Sequence, residues 1–167
     1  MSQAVQRKTH VVELSFEGST HAFGDGRVAI FAGPCSIESR DHLRETAVGV
    51  KAKGASFLRG GIYKMRTSAN SFQGLGSDAF GFIGDVKREM QMPLVSEVTD
   101  PRQISDIAAT VEMFQVGSRN MYNYELLKEL GSLKKPVLLK RAFAATVDEW
   151  IKAADYVIKG GNDNVLL

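Results

Sequence analysis

A parallel α/β fold, specifically part of a (β/α)8 TIM barrel, is predicted by three features of this 167-residue sequence. From Val28 onward, short apolar runs alternate with amphipathic segments. Most of those runs hold consecutive rather than alternating apolar residues, as strands buried on both faces do. No G-x-G-x-x-G follows the first run, which favours a barrel over a doubly wound nucleotide-binding sheet. Connections of helix length between successive strands require parallel pairing and right-handed crossovers, and a spacing of about 20–40 residues per unit suits a βα repeat.

Taken in order, residues 1–27 read as an N-terminal extension. Val11, Val12, Leu14 and Phe16, followed by the turn signal Gly24-Asp25-Gly26, predict a β-hairpin covering the bottom of the barrel. Residues 28–167 then carry candidate strands at Val28–Phe31, Ser56–Leu58, Leu94–Ser96, Glu112–Val116, Val137–Leu139 and Asn164–Leu167. Between them lie helix signals. Ser39 or Asp41 is placed to cap a helix with Leu43, Ala47 and Val50 on one face, and Ser77 to cap one with Phe80, Ile83, Val86 and Met90. Asp100-Pro101 is a helix start, because proline suits the first helical position. Asn123 precedes Leu126, Leu127 and Leu130, with Gly131 as the stop. Thr146 and Glu149 form a capping box ahead of Trp150, Ala154 and Val157, and Gly160 closes that helix. Five βα units and the start of a sixth strand fall short of the roughly 250 residues of a whole barrel. The sequence is therefore expected to be the N-terminal portion of a longer one.

Composition narrows the function. Apolar residues at 44% and charged residues at 24% are an ordinary globular mix. The apolar runs are far shorter than the roughly 20 residues of a membrane helix, and the polar stretch Met1–His10 has no signal-peptide core. One cysteine cannot form an internal disulfide, which fits a cytoplasmic location. A net charge of +2, with basic residues scattered and no aromatics interleaved, speaks against nucleic acid.

The placement of those basic residues is more informative. Barrel active sites lie at the C-terminal strand ends and the loops that follow. The first five predicted strands finish at Cys35, Arg59, Glu97, Arg119 and Lys140-Arg141, and the loop after the second adds Lys64 and Arg66. Guanidinium groups bind phosphate and carboxylate oxygens bidentately, and lysine adds a point charge. An anionic substrate with more than one phosphate or carboxylate follows. Cys35, after Gly33-Pro34, is either a buried small hydrophobe or a thiolate metal ligand. No H-x-x-x-H or C-x-x-C completes a local metal site, and His10, His21 and His42 read as ordinary surface histidines. Asp100 reads as a helix cap, and Glu97 as a rim carboxylate or a charged stop.

The segments Ala32-Gly33-Pro34-Cys35-Ser36-Ile37-Glu38-Ser39, Arg59-Gly60-Gly61, Lys64-Met65-Arg66-Thr67-Ser68 and Ser71-Phe72-Gln73-Gly74-Leu75-Gly76 stand in that order. Ser96-Glu97-Val98-Thr99-Asp100, Gly117-Ser118-Arg119-Asn120-Met121 and Lys140-Arg141 continue the series. Together they resemble the 3-deoxy-7-phosphoheptulonate (DAHP) synthase family in its short bacterial and archaeal form, from Val28 to Leu167. The resemblance implies condensation of phosphoenolpyruvate with erythrose 4-phosphate, the entry to aromatic amino acid biosynthesis. In phosphoenolpyruvate the C–O rather than the P–O bond breaks. It further implies a divalent metal (Mn, Fe, Co or Zn) with Cys35 as one ligand, and a homo-oligomer. Arg59, Lys64, Arg119 and Lys140, with the backbone at Gly117 and Ser118, would hold phosphoenolpyruvate. Arg66 and Thr67 would hold the aldose phosphate, and Lys64 would donate the proton to the new alkoxide. The family's other metal ligands, a histidine, a glutamate and an aspartate, follow its sixth strand, so the 167 residues alone are expected to be inactive.

The sequence departs from the family at Met65 and Ala69, where proline is usual, at Asn70 in place of tyrosine, and at Ser118 in place of alanine. The lost prolines leave the loop less restrained. The sister 3-deoxy-octulosonate 8-phosphate synthases, which use a five-carbon sugar phosphate, are the alternative. Their Ala-Asn-Arg-Ser and Gln-Thr-Asp wording is not matched by Arg66-Thr67-Ser68 or Ser118-Arg119-Asn120.

Overall fold

A computed structural model describes residues 9–167 of the chain, so the first eight residues of the N-terminal extension lie outside the described residues. The predicted hairpin is present, but it turns at Glu17-Gly18, both at positive φ, and Gly24-Asp25-Gly26 follows it: β1 (Val12–Phe16) pairs antiparallel with β2 (Ser19–Phe23), from Val12 opposite Phe23 to Phe16 opposite Ser19. Its alternating burial directs Val12, Leu14 and Phe16 to one side.

Six further strands form one parallel sheet in sequence order: β3 (Phe31–Ala32), β4 (Phe57–Arg59), β5 (Leu94–Val98), β6 (Met113–Val116), β7 (Val137–Leu139) and β8 (Val165–Leu166). This is the strand arrangement of a (β/α)8 barrel. The connecting helices are α1 (Arg40–Ala52), α2 (Phe80–Met90), α3 (Ile104–Ala108), α4 (Tyr124–Gly131) and α5 (Val147–Lys159). Among the described residues, no helix is long and apolar enough to cross a membrane.

The strand side chains divide by parity. Leu58, Leu94, Val98, Phe114, Val116, Val137 and Leu139 pack outward with the helices, in the core that includes Leu43, Ile83, Ile107, Leu126 and Val157. The residues between them face inward. Phe57, Val95 and Met113, with Phe31, Leu138 and Leu166 beside them, form a second cluster that the hairpin caps with Val12, Leu14, Phe16 and Phe23. That cluster is the apolar floor of the barrel. The stacked rings of Phe31 and Phe57, 4.6 Å between centroids, are closer than those of Phe23 with either.

Most helix starts follow the expected chemistry. Ser39, rather than Asp41, caps α1 by accepting from the His42 amide at 3.1 Å. Asp100 and Gln103 form a capping box, and Arg102 beside Asp100 holds its carboxyl down at about 2. Asn123 accepts from the Leu126 amide. Thr146 and Glu149 form the reciprocal box on α5, the Glu149 amide donating to Thr146 Oγ1 at 3.2 Å. Thr146→Ala should therefore cost about 1 kcal/mol of unfolding free energy, read from urea denaturation, with Thr146→Ser retaining most of it.

Two expectations shift. The first sheet strand is Phe31–Ala32 instead of Val28–Phe31; Val28 is 88% exposed and only the Ile30 carbonyl reaches the next strand, accepting from Ser56 and Phe57. Ser77 caps no helix: it lies inside a 3-10 turn, Gly76–Ala79, that runs directly into α2 without a side-chain cap.

Candidate active site at the barrel mouth

One inward position beyond the apolar floor, the residue type changes. The strand period of two places Arg59 on the same face as Phe57, Glu97 with Val95, Gln115 with Met113, and Lys140 with Leu138. Glu97 lies opposite Gln115 in the β5–β6 register. A charged and polar layer thus rests on the floor, at the C-terminal side of the strands.

Strand ends and site residues do not coincide everywhere. Arg59 ends β4 and Lys140 directly follows β7, whereas Cys35 lies three residues beyond β3 and Arg119 in a 3-10 turn (Ser118–Asn120) after β6. Cys35 is exposed, which removes the reading of a buried small hydrophobe. It is tied to the mouth through its neighbours: Arg59 Nη1 donates to the Pro34 carbonyl at 3.2 Å, and the Ile37 amide to the Gly61 carbonyl at 2.9 Å. Gly33 makes this possible. Its φ of +152° is rarely adopted by other residues, and a Cβ there would overlap the Arg59 carbonyl oxygen.

Lys64 is carried inward by the loop after β4. Its backbone amide donates to the Gln73 carbonyl at 2.8 Å, and the Ile62 amide below it to Ser96 Oγ at 3.0 Å. Its ammonium forms an ion pair with Glu97, the two side chains being 12% and 8% exposed. Burial weakens solvent screening of such a pair. Glu97 in turn leans on Gly117, where a Cβ would come 3.1 Å from the carboxylate carbon and overlap one of its oxygens. Glu97 is the site residue the sequence underestimated: a carboxylate in the middle of an apolar strand was the available signal.

Arg119 reaches across to the same loop, Nη2 donating to Thr67 Oγ1 at 2.9 Å. Its turn is anchored by buried Asn120, whose Nδ2 donates to the Thr99 carbonyl at 3.0 Å. Arg59, Lys64, Thr67, Gly117, Ser118, Arg119 and Lys140 are thereby gathered at one mouth. Two cations are turned elsewhere: Arg66 Nε donates to Phe72 O at 3.1 Å within its own loop, and Arg141 Nη1 to Ala145 O at 3.2 Å. Chemically, these residues set several cations beside the Glu97 carboxylate, a setting for a polyanion and for proton transfer from an ammonium. Among the described residues, no group of three His, Cys, Asp or Glu side chains gathers that could hold a metal ion, so Cys35 alone does not make a metal centre.

The model of the DAHP synthetase I family matches residues 9–167. A phospho-2-dehydro-3-deoxyheptonate aldolase of Thermotoga maritima is 37% identical over 163 residues, 98% of this chain and 48% of that protein. A 2-dehydro-3-deoxyphosphooctonate aldolase of Nitrobacter winogradskyi is 30% identical over 154 residues, 87% of this chain and 53% of that protein. The crystal structure of the Thermotoga maritima DAHP synthase superimposes with a TM-score of 0.81 at 35% identity, over 93% of this chain and 44% of that one. A truncated form of the 3-deoxy-D-arabino-heptulosonate 7-phosphate synthase of that organism gives 0.77 at 36% identity, over 87% and 52%. The chain spans about half the length of the curated relatives it matches.

Proposed function

The chain belongs to the DAHP synthetase I family, and from that premise we propose that its mouth binds phosphoenolpyruvate and erythrose 4-phosphate for their condensation, with one water, to 3-deoxy-7-phosphoheptulonate and inorganic phosphate. The observation that carries this reading is the Lys64 ammonium, buried against Glu97 at the end of the sheet where Arg59 closes β4, Arg119 follows β6 and Lys140 follows β7.

Two substrates that each carry a phosphate repel one another, and a cationic site offsets that repulsion. Arg59, Arg119 and Lys140, with the backbone at Gly117 and Ser118, hold the phosphate and carboxylate of phosphoenolpyruvate. Thr67 and Arg66 hold the aldose phosphate, which requires Arg66 to leave the Phe72 carbonyl. When the new C–C bond forms, the aldehyde oxygen becomes an alkoxide, and Lys64 Nζ is placed to protonate it. Glu97 holds the Lys64 ammonium in position until that step.

Cys35 is the soft donor that this mouth offers to a divalent metal such as Mn, Fe, Co or Zn, which would polarise the aldehyde. Among the described residues it is not part of a group of three or more His, Cys, Asp or Glu side chains, and none of the steps given to the side chains runs through a metal.

The test is calorimetric titration of the 167-residue chain with phosphoenolpyruvate. Saturable binding that weakens as salt rises is expected. The phosphoenolpyruvate-loaded chain should then bind erythrose 4-phosphate better than a five-carbon sugar phosphate. Binding no tighter than that of inorganic phosphate overturns the reading, and the reverse sugar preference favours the octulosonate reaction.

A further inference from the structure

Phe143 lies in the loop between β7 and α5, three residues after Lys140, and its side chain is 78% exposed. It belongs to neither apolar cluster. What it touches instead is a cation: the Arg119 guanidinium carbon lies over its ring, 5.6 Å from the centroid. Arg119 therefore ties together loops from three strands, through Thr67 after β4, its own turn after β6, and Phe143 after β7.

The two contacts differ in kind. The hydroxyl of Thr67 takes one edge N–H, at Nη2. The Phe143 ring lies with its face toward the guanidinium carbon and attracts the cation through its quadrupole. Such a contact steadies a guanidinium without an oxygen acceptor, so N–H donors other than the one given to Thr67 stay available for paired oxygen acceptors such as phosphate or carboxylate. Holding it beforehand also removes part of the ordering cost of binding.

We propose that Phe143 is a positioning residue for substrate binding: its ring preorganises Arg119 so that the edge of the guanidinium faces the anion in the mouth. This rests on the phosphoenolpyruvate reading above. The ring contributes through its π face, and an aliphatic side chain of similar bulk does not replace it.

Phosphoenolpyruvate is titrated calorimetrically into the unsubstituted chain, Phe143→Leu and Phe143→Trp, with thermal melts of all three. Phe143→Leu should bind about two- to fivefold more weakly, while Phe143→Trp, with the stronger π face, should bind at least as tightly as the parent. Because the ring is mostly in solvent, all three should melt alike. A Phe143→Leu chain that binds like the parent overturns the inference, as does a Phe143→Trp chain as weak as Phe143→Leu, since bulk or shape would then explain the loss. Failure of the unsubstituted chain to bind phosphoenolpyruvate overturns the substrate reading itself.

Discussion

Gly33→Ala should destabilise the chain by roughly 3 kcal/mol, lowering the melting temperature by about 6–12 °C. The methyl group would overlap the Arg59 carbonyl oxygen and lie 2.9 Å from the Arg59 amide nitrogen. Both atoms are backbone of β4, so no rotamer change relieves the overlap. The pairing of β3 with β4 spans only Phe31–Phe57 and Ala32–Leu58, and it has no spare register to fall back on. Parting these strands also moves Pro34 from Arg59 and hence Cys35 from the mouth, so anion binding should fall with stability. Urea unfolding with calorimetric titration checks both; a loss under 1 kcal/mol would mean the strands can part freely and that Gly33 does not set their approach.

Lys64→Met should act on two quantities that can be separated. Removing the ammonium leaves Glu97 without its ion-pair partner at 8% exposure, which should cost about 1–3 kcal/mol of stability. It also removes the central cation, and phosphoenolpyruvate affinity should fall on the order of 30-fold or more, equivalent to about 2 kcal/mol. Adding Glu97→Gln to Lys64→Met should restore most of the stability, because the uncompensated charge is gone, while binding stays lost. If the double variant regains affinity, the lysine serves Glu97 rather than the substrate.

The barrel was legible because its strands are short apolar runs and its caps are local. Ser39, Asp100, Asn123 and Thr146 each bond within three residues, well inside the reach of a sequence pattern. Six cations could be assigned to strand ends and the loops after them for the same reason. What the pattern could not supply was direction. Arg66 and Arg141 are as basic as Arg59, yet each bonds a carbonyl in its own loop. The Lys64–Glu97 pair joins residues 33 apart, and only the fold of the loop after β4 brings them together. Phe143 drew no notice in the sequence, since a single phenylalanine in a loop carries no periodicity.

The sorting of strand residues by parity sets what kinds of inherited change the wall tolerates. Inserting a single residue ahead of Ser96 in Leu94–Val98 would turn Glu97 toward the helices and bring Ser96 into its place, abolishing chemistry and packing in one event. The loops carry no such constraint. Lineages descended from this architecture should therefore show gaps and insertions confined to the loops, with strand lengths held constant while the contents of the mouth diversify.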